Sequence, residues 1–109
     1  MTSDLRDLLI EAAKEGRFVY YSDIAPQLGL EMDREADRAK IGRILGEISE
    51  EEVRERRPML SAIVVHKGDE TPGDGFYKLA RDLGRFRTGH RHIFWAEEVK
   101  RLFEYWSSK

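Results

Sequence analysis

Few residues of this 109-residue chain have the types and spacing that enzymatic or metal chemistry needs. Its three histidines are His66, His90 and His92. The last two alternate along the chain, so they converge on one ion only in an extended segment, and no carboxylate completes a ligand set. Ser61 and His66 lack an activating third group and an oxyanion motif. The sequence therefore favours a non-enzymatic protein with no cofactor, metal or evident small-molecule substrate.

The composition limits the kinds of protein and of site that this chain can be or contain. There is no cysteine, which excludes disulfides, thiolate zinc sites and cysteine nucleophiles. The length and a hydrophobic fraction of 40% are typical of one globular domain, here residues 1–109. Nineteen basic residues stand against twenty-one acidic ones, with a formal charge of −2. Binding to nucleic acid must therefore depend on local charge rather than on the total.

Nothing in the chain indicates a membrane segment or an export signal. The longest apolar run, residues 62–65, is far too short to cross a bilayer. The first four residues are polar and acidic, unlike a secretory signal peptide. We therefore expect a cytoplasmic protein with no membrane partner.

Hydrophobic periodicity predicts a mainly helical α+β fold. The first helix covers residues 4–15, with Ser3 as its cap and Gly16 as its stop, and a short strand follows at 17–21. A second helix covers 23–28 and ends at Gly29. The third begins after Asp33, and its apolar stripe consists of Ile41, Ile44, Leu45 and Ile48. This order of elements is typical of a winged helix-turn-helix domain.

The second half of the chain is predicted to supply the small sheet and the last helices. Residues 59–66 favour a strand that pairs with 17–21, in a sheet of two or three strands. Ser49 either caps a separate helical turn or lies in an extended third helix. Residues 76–83 are either the return strand of a wing hairpin or a short helix, and their spacing favours the helix. A helix over 92–107 brings the total to four or five.

The third helix carries the first candidate binding surface. At 100° per residue, the side opposite its apolar stripe carries small residues, with Lys40, Arg43 and Glu47 among them; the small residues are Ala36, Ala39, Gly42 and Gly46. The candidate DNA-binding residues on this side are Ala39, Lys40, Gly42 and Arg43. Glycines inside a helix cost about 1 kcal/mol each relative to alanine, so their presence needs a reason. One reason is close approach of double-stranded DNA or of a protein partner. The alternative is that Gly42 and Gly46 relieve crowding within the domain.

Two short motifs around this helix carry a resemblance. The sequence Tyr-Ser-Asp-Ile-Ala at 21–25, followed by Ala-Lys-Ile-Gly-Arg-Ile-Leu at 39–45, is similar to the helix-turn-helix of DNA alkyltransferase and alkyltransferase-like winged-helix domains. The resemblance covers roughly residues 20–48 and implies a DNA-facing third helix. The family's reactive Pro-Cys-His-Arg segment is absent, because residues 58–62 read Pro-Met-Leu-Ser-Ala, so alkyl transfer is excluded.

A second resemblance covers most of the chain. Residues 57–65, together with Pro-Gly-Asp-Gly-Phe at 72–76, resemble a group of small bacterial proteins of uncharacterised function. This resemblance implies no activity.

A basic segment over residues 78–91 is the second candidate DNA-binding surface. Its cations are Lys78, Arg81, Arg85, Arg87 and Arg91. Cations neutralise phosphates, and the neighbouring aromatic residues are able to stack on bases. The alternative is a solvated loop whose arginines pair with the acidic run Glu50, Glu51, Glu52 and Glu55.

The aromatic C-terminal helix gives the alternative function, a protein-interaction module that docks a partner or forms a homodimer. Phe94 and Tyr105 fall off the stripe formed by Trp95, Val99, Leu102 and Trp106, so we expect them to be exposed. Aromatic residues dominate the energetics of many interfaces. The candidate partner-binding residues are Phe94, Tyr105 and Trp106.

Overall fold

A computed structural model describes residues 2–109, with side chains from residue 4 onwards. The described chain is mainly helical with one small sheet, as predicted. Its elements are α1 (Thr2–Lys14), β1 (Val19–Tyr20), α2 (Tyr21–Ile24), α3 (Glu35–Arg54), β2 (Val64–Val65), α4 (Asp74–Asp82) and α5 (Arg91–Ser107). Two 3-10 helices, Pro26–Leu28 and Leu60–Ile63, complete the set.

Helix α1 follows its apolar stripe. Leu5, Leu9 and Ala12 are buried, and Gly16 ends the helix with a φ of +67°, a left-handed conformation that suits glycine. The helix begins at Thr2 rather than at residue 4, so Ser3 lies inside α1 and not at the predicted cap position.

The second predicted helix, 23–28, is wrong in its extent. Helix α2 begins at Tyr21 and ends at Ile24, and a 3-10 helix begins at Pro26. Proline has no N–H to continue the α-helical hydrogen bonds, which explains the break. Gly29 ends the 3-10 helix, as predicted, with a left-handed φ of +72°.

Helix α3 is one continuous element of 20 residues, so Ser49 lies inside it and caps no separate turn. Ser49 is buried, and its Oγ lies 2.7 Å from the Oγ of Ser61. The Ser49 Oγ also accepts a hydrogen bond from the Ser61 N–H at 3.0 Å. This pair fixes α3 against the segment that leads into β2.

The predicted strand over 59–66 is mostly wrong. Only Val64–Val65 pair as a strand, and Leu60–Ile63 form a 3-10 helix. Every residue from 59 to 65 is buried, so the apolar run reflects burial on all sides rather than a long sheet. The partner strand is equally short. Val19 pairs with Val64 and Tyr20 with Val65, in parallel.

Residues 76–83 are helical, as favoured, since they belong to α4 and its end. Within residues 2–109 the sheet has two parallel strands, and α4 stands where a wing hairpin would need a return strand. Helix α5 closely matches its prediction. No described helix has both the length and the apolar character needed to cross a membrane.

The core is centred on the 3-10 helix Leu60–Ile63, against which α1, α3 and α5 pack. Met59, Leu60 and Ile63 have no exposed surface. This central segment ties the end of α3 to α5, and several arginines lie in the depression between those two elements.

Candidate anion-binding groove

A cavity of about 420 Å³ lies between the end of α3 and helix α5. Its lining contains four arginines and one carboxylate, and consists of Arg56, Arg57, Pro58, Arg85, Arg101, Glu104 and Tyr105. A neighbouring cavity of about 330 Å³ shares Arg85 and Arg101 with it, and the residues it adds include Arg87, His90, Ile93 and the carboxylate Glu97. We call the two together the arginine groove.

A buried carboxylate organises one side of the groove. Glu98 on α5 has no exposed surface, and it accepts hydrogen bonds from Arg85 Nη2 at 2.7 and 2.9 Å. Its Oε2 also accepts from the Met59 N–H at 2.9 Å, and Arg101 Nε lies 3.4 Å from its Oε1. Glu98 therefore fixes the positions of two groove arginines and ties α5 to the central segment.

Glu52 near the end of α3 has the same role on the other side. It has no exposed surface and accepts from Arg57 Nε at 2.8 Å and from Arg6 Nε at 2.8 Å. Burial acts to raise the pKa of Glu52, but the hydrogen bonds and charges of Arg57 and Arg6 outweigh it and lower the pKa below its usual value. Glu52 is therefore ionised and paired at neutral pH.

The pairing leaves positive charge and free donors in the groove. Each buried carboxylate is shared by two arginines, and Glu97 and Glu104 also line the groove. With Arg6 included, six arginines stand against four glutamates, so the formal charge is +2. Among the described residues, no protein acceptor is hydrogen-bonded to Nη1 of Arg57 or Arg85, or to the guanidinium of Arg56. Because a guanidinium has five N–H groups, these arginines are able to bind an anion while their carboxylates hold them in place.

Arg56 stands at an unusual backbone position. Its φ is +63°, in the left-handed region where a helix end usually has glycine. The N–H of the next residue, Arg57, donates a hydrogen bond to the Glu52 carbonyl at 2.8 Å, and this bond caps the end of α3. A charged side chain is thus present at a position where glycine carries no steric cost.

The predicted face of α3 is exposed at all four candidate positions, Ala39, Lys40, Gly42 and Arg43. Neither Lys40 nor Arg43 forms an ion pair with another described residue. A Cβ added at Gly42 would meet no atom within 4 Å, and one at Gly46 only Leu79 at 3.9 Å. Both are ordinary or open positions, so relief of crowding does not account for these glycines.

The predicted basic segment is divided by the fold. Arg85 and Arg87 line the groove, whereas Arg81 lies over the Phe86 ring at 4.5 Å and Arg91 over the Tyr77 ring at 3.9 Å. The alternative, pairing with the acidic run 50–55, is wrong for this segment. Arg85 pairs instead with Glu98, and Arg91 with Asp74 at 2.7 Å.

The predicted exposure of Phe94 is wrong. Phe94 is 8% exposed and stacks on Phe86, with ring centres 4.9 Å apart. Phe94, Glu98 and Leu102 form a buried ridge at a spacing of four residues, which the charge of Glu98 conceals in the sequence. Tyr105 and Trp106 are half-buried, and the most exposed large apolar side chain on α5 is Ile93, at 61%.

Sequence reasoning missed Arg56, Arg57 and Arg101, together with the buried glutamates. The sequence contains one pattern that could have revealed the buried glutamates. Glu52 and Glu98 each lie four residues from a buried apolar residue of their own helix, Ile48 and Phe94. A carboxylate on such a ridge has to be paired when it is buried, so it points to arginines nearby.

Comparison with known proteins gives no family to which the chain is assigned. No family model matches it, no curated protein matches it, and no solved structure matches it.

Proposed function

We propose that this protein is a non-enzymatic DNA-binding module on a scaffold related to the winged helix, in which α4 takes the place of the return strand of the wing. The arginine groove is the observation that carries the proposal, because buried carboxylates hold its cations ready for phosphate. DNA affinity comes largely from such phosphate contacts, which also position the protein on the duplex. The exposed face of α3 supplies a second cationic surface with Lys40 and Arg43.

The two surfaces are far enough apart to engage separate phosphates. Arg43 and Arg54 are eleven residues apart on one helix, which corresponds to about 17 Å of helix axis. The groove begins just beyond Arg54. A duplex that lies along α3 would therefore meet Lys40 and Arg43 in the first half of the helix and the groove arginines beyond its end. Gly42 permits close approach beside Lys40 and Arg43, and the exposed carboxylates Glu47, Glu50 and Glu51 lie between the two cationic regions.

The interaction alternative has weaker support. The burial of Phe94 removes one of its three candidate residues, and Tyr105 and Trp106 are both half-buried. The exposed Ile93 is a single side chain, and isolated apolar residues are common on protein surfaces. Residues of the groove, by contrast, combine charge, concavity and fixed geometry.

A fluorescence anisotropy titration with blunt duplex DNA at low and moderate salt tests the proposal. We expect binding that weakens steeply with salt, and we expect the double variant Lys40→Ala/Arg43→Ala to bind less tightly. Loss of two phosphate contacts should reduce the slope of log K against log salt by about 1.8.

The matched control is Lys14→Ala/Arg17→Ala, which removes the same charge from the end of α1, where each cation faces an exposed glutamate. This control should bind DNA as the wild type does. Absence of binding at low salt would contradict the proposal. An equal loss of DNA affinity in the control variant would show that the loss reflects total charge rather than a contact with α3.

A further inference from the structure

The arginine groove is an open depression on the surface, formed by side chains from three parts of the chain, residues 56–58, Arg85 and α5. This open shape admits the phosphates of a duplex as well as those of a single strand. The preference for one form of nucleic acid therefore depends on contacts that only unpaired bases make.

The positive charge continues beyond one anion site. Arg85 and Arg101 are shared with the second cavity, where Arg87 is exposed and has no ion-pair partner among residues 4–109. A groove with cations along its length suits a ligand with repeated negative charges. The phosphates of a strand have that repeat, and an isolated phosphate ion does not.

The aromatic ring of Tyr105 favours a nucleic acid over an acidic peptide as the ligand of the groove. Tyr105 lines the groove beside the arginines and is half-buried. Lys109 Nζ lies over one face of the Tyr105 ring, 4.6 Å from its centre, so a base stacks on the other face or takes the place of Lys109. Aromatic rings beside arginines are the combination that binds unpaired bases, because the ring stacks on the base while the cation holds the phosphate.

We propose that the arginine groove binds a single unpaired strand of nucleic acid, with phosphates on Arg56, Arg57 and Arg101 and a base stacked on Tyr105. This inference rests on the proposed function and specifies the form of nucleic acid. Glu52 and Glu98 act as positioning residues, since they touch the arginines rather than the strand.

The test compares three probes by anisotropy at low salt, namely a labelled homothymidine strand, a blunt hairpin duplex and polyglutamate as a competitor. We expect the strand to bind at least about tenfold more tightly than the duplex, because base stacking adds to the phosphate contacts only in the strand. Polyglutamate should displace the strand poorly, since it has charge but no bases.

Arg56→Gly is the sharpest variant, because glycine adopts the φ of +63° without strain and only the cation is lost. It should weaken strand binding about tenfold, as expected for a charged hydrogen bond to phosphate, and Arg101→Ala should do the same. Glu70→Gly, at the comparable φ of +53°, is the backbone control, and Arg17→Ala is the charge control. Both controls should bind the strand normally.

The aromatic contact has its own pair of variants. Tyr105→Ala should weaken strand binding about tenfold. Tyr105→Phe should bind the strand as tightly as the wild type, because stacking needs the ring and not the hydroxyl.

The outcomes separate the inference from the proposed function. Duplex binding equal to or tighter than strand binding, effective displacement by polyglutamate, or unchanged binding in Arg56→Gly would each overturn the inference and leave DNA binding in place. Failure of both strand and duplex to bind would overturn the two together.

Discussion

The two cationic regions of the molecule differ in what holds their charges in place. In the arginine groove, Glu52 and Glu98 are fully buried and fix the arginines above them by hydrogen bonds of 2.7–3.1 Å. On the exposed face of α3, Lys40 and Arg43 stand in solvent without an ion-pair partner among the described residues. Fixed cations lose less conformational freedom on binding, so the groove is the better prepared site.

The difference also concerns stability. A buried carboxylate is costly to leave unpaired, so the groove arginines hold the fold together as well as offering donors. Residues on the α3 face are free to change with little effect on folding. The comparison therefore predicts large folding effects in the groove and small ones on the α3 face.

The largest effect is expected from Glu98→Leu. The change leaves the buried Met59 N–H without its acceptor and the partly exposed Arg85 to water, and it should lower the free energy of unfolding by about 1–3 kcal/mol. Urea unfolding followed by circular dichroism measures it. Glu47→Ala, on the exposed face of α3, is the matched control and should stay within about 0.5 kcal/mol of the wild type. Equal stability of the two variants would remove the contrast between the regions.

A pH-dependent loss of stability should come from Glu52. Its folded pKa is lowered by Arg57 and Arg6, so its contribution is present above the usual value of 4.5 and is lost as the pH falls through the lowered pKa. Unfolding free energies measured from pH 7 down into this acid range should fall more steeply in the wild type than in Glu52→Gln. Parallel curves would show that the Glu52 pairing does not stabilise the fold.

The smallest effect is expected on the α3 face. Gly42→Ala should raise the free energy of unfolding by about 1 kcal/mol, because alanine favours the helix and the added Cβ meets no atom within 4 Å. The same variant should weaken duplex binding if DNA approaches this face closely. Thermal unfolding and the anisotropy titration together check both expectations, and a stabilised variant with unchanged affinity would argue against close approach.

The sequence predicted the helices better than the strands. Regular apolar stripes allowed α1, α3 and α5 to be predicted, since apolar residues at this spacing all face the core only in a helix. The run at 59–66 has no such periodicity, because residues 59–65 are all buried. Local propensity favoured a strand there, whereas packing between α1, α3 and α5 selected a 3-10 helix and two strand residues.

The candidate site was only partly predictable. Arg85 and Arg87 were recognised because they lie in a dense basic segment. Arg56, Arg57 and Arg101 are distant in sequence from that segment and meet it only through folding. Glu52 was considered only as part of the acidic run, and Glu98 was not singled out, since their place on a buried ridge does not tell which arginine from another element will neutralise them.

The sequence by itself determined the helical character of the chain, the absence of cysteine chemistry and the exposed cations of α3. These follow from residue type and from periodicity within one element. Only the tertiary structure decided which arginines share a groove, which carboxylates hold them and which aromatic residue lies beside them. Those are contacts between elements, and their energies depend on burial and on the distances between groups that are remote along the chain.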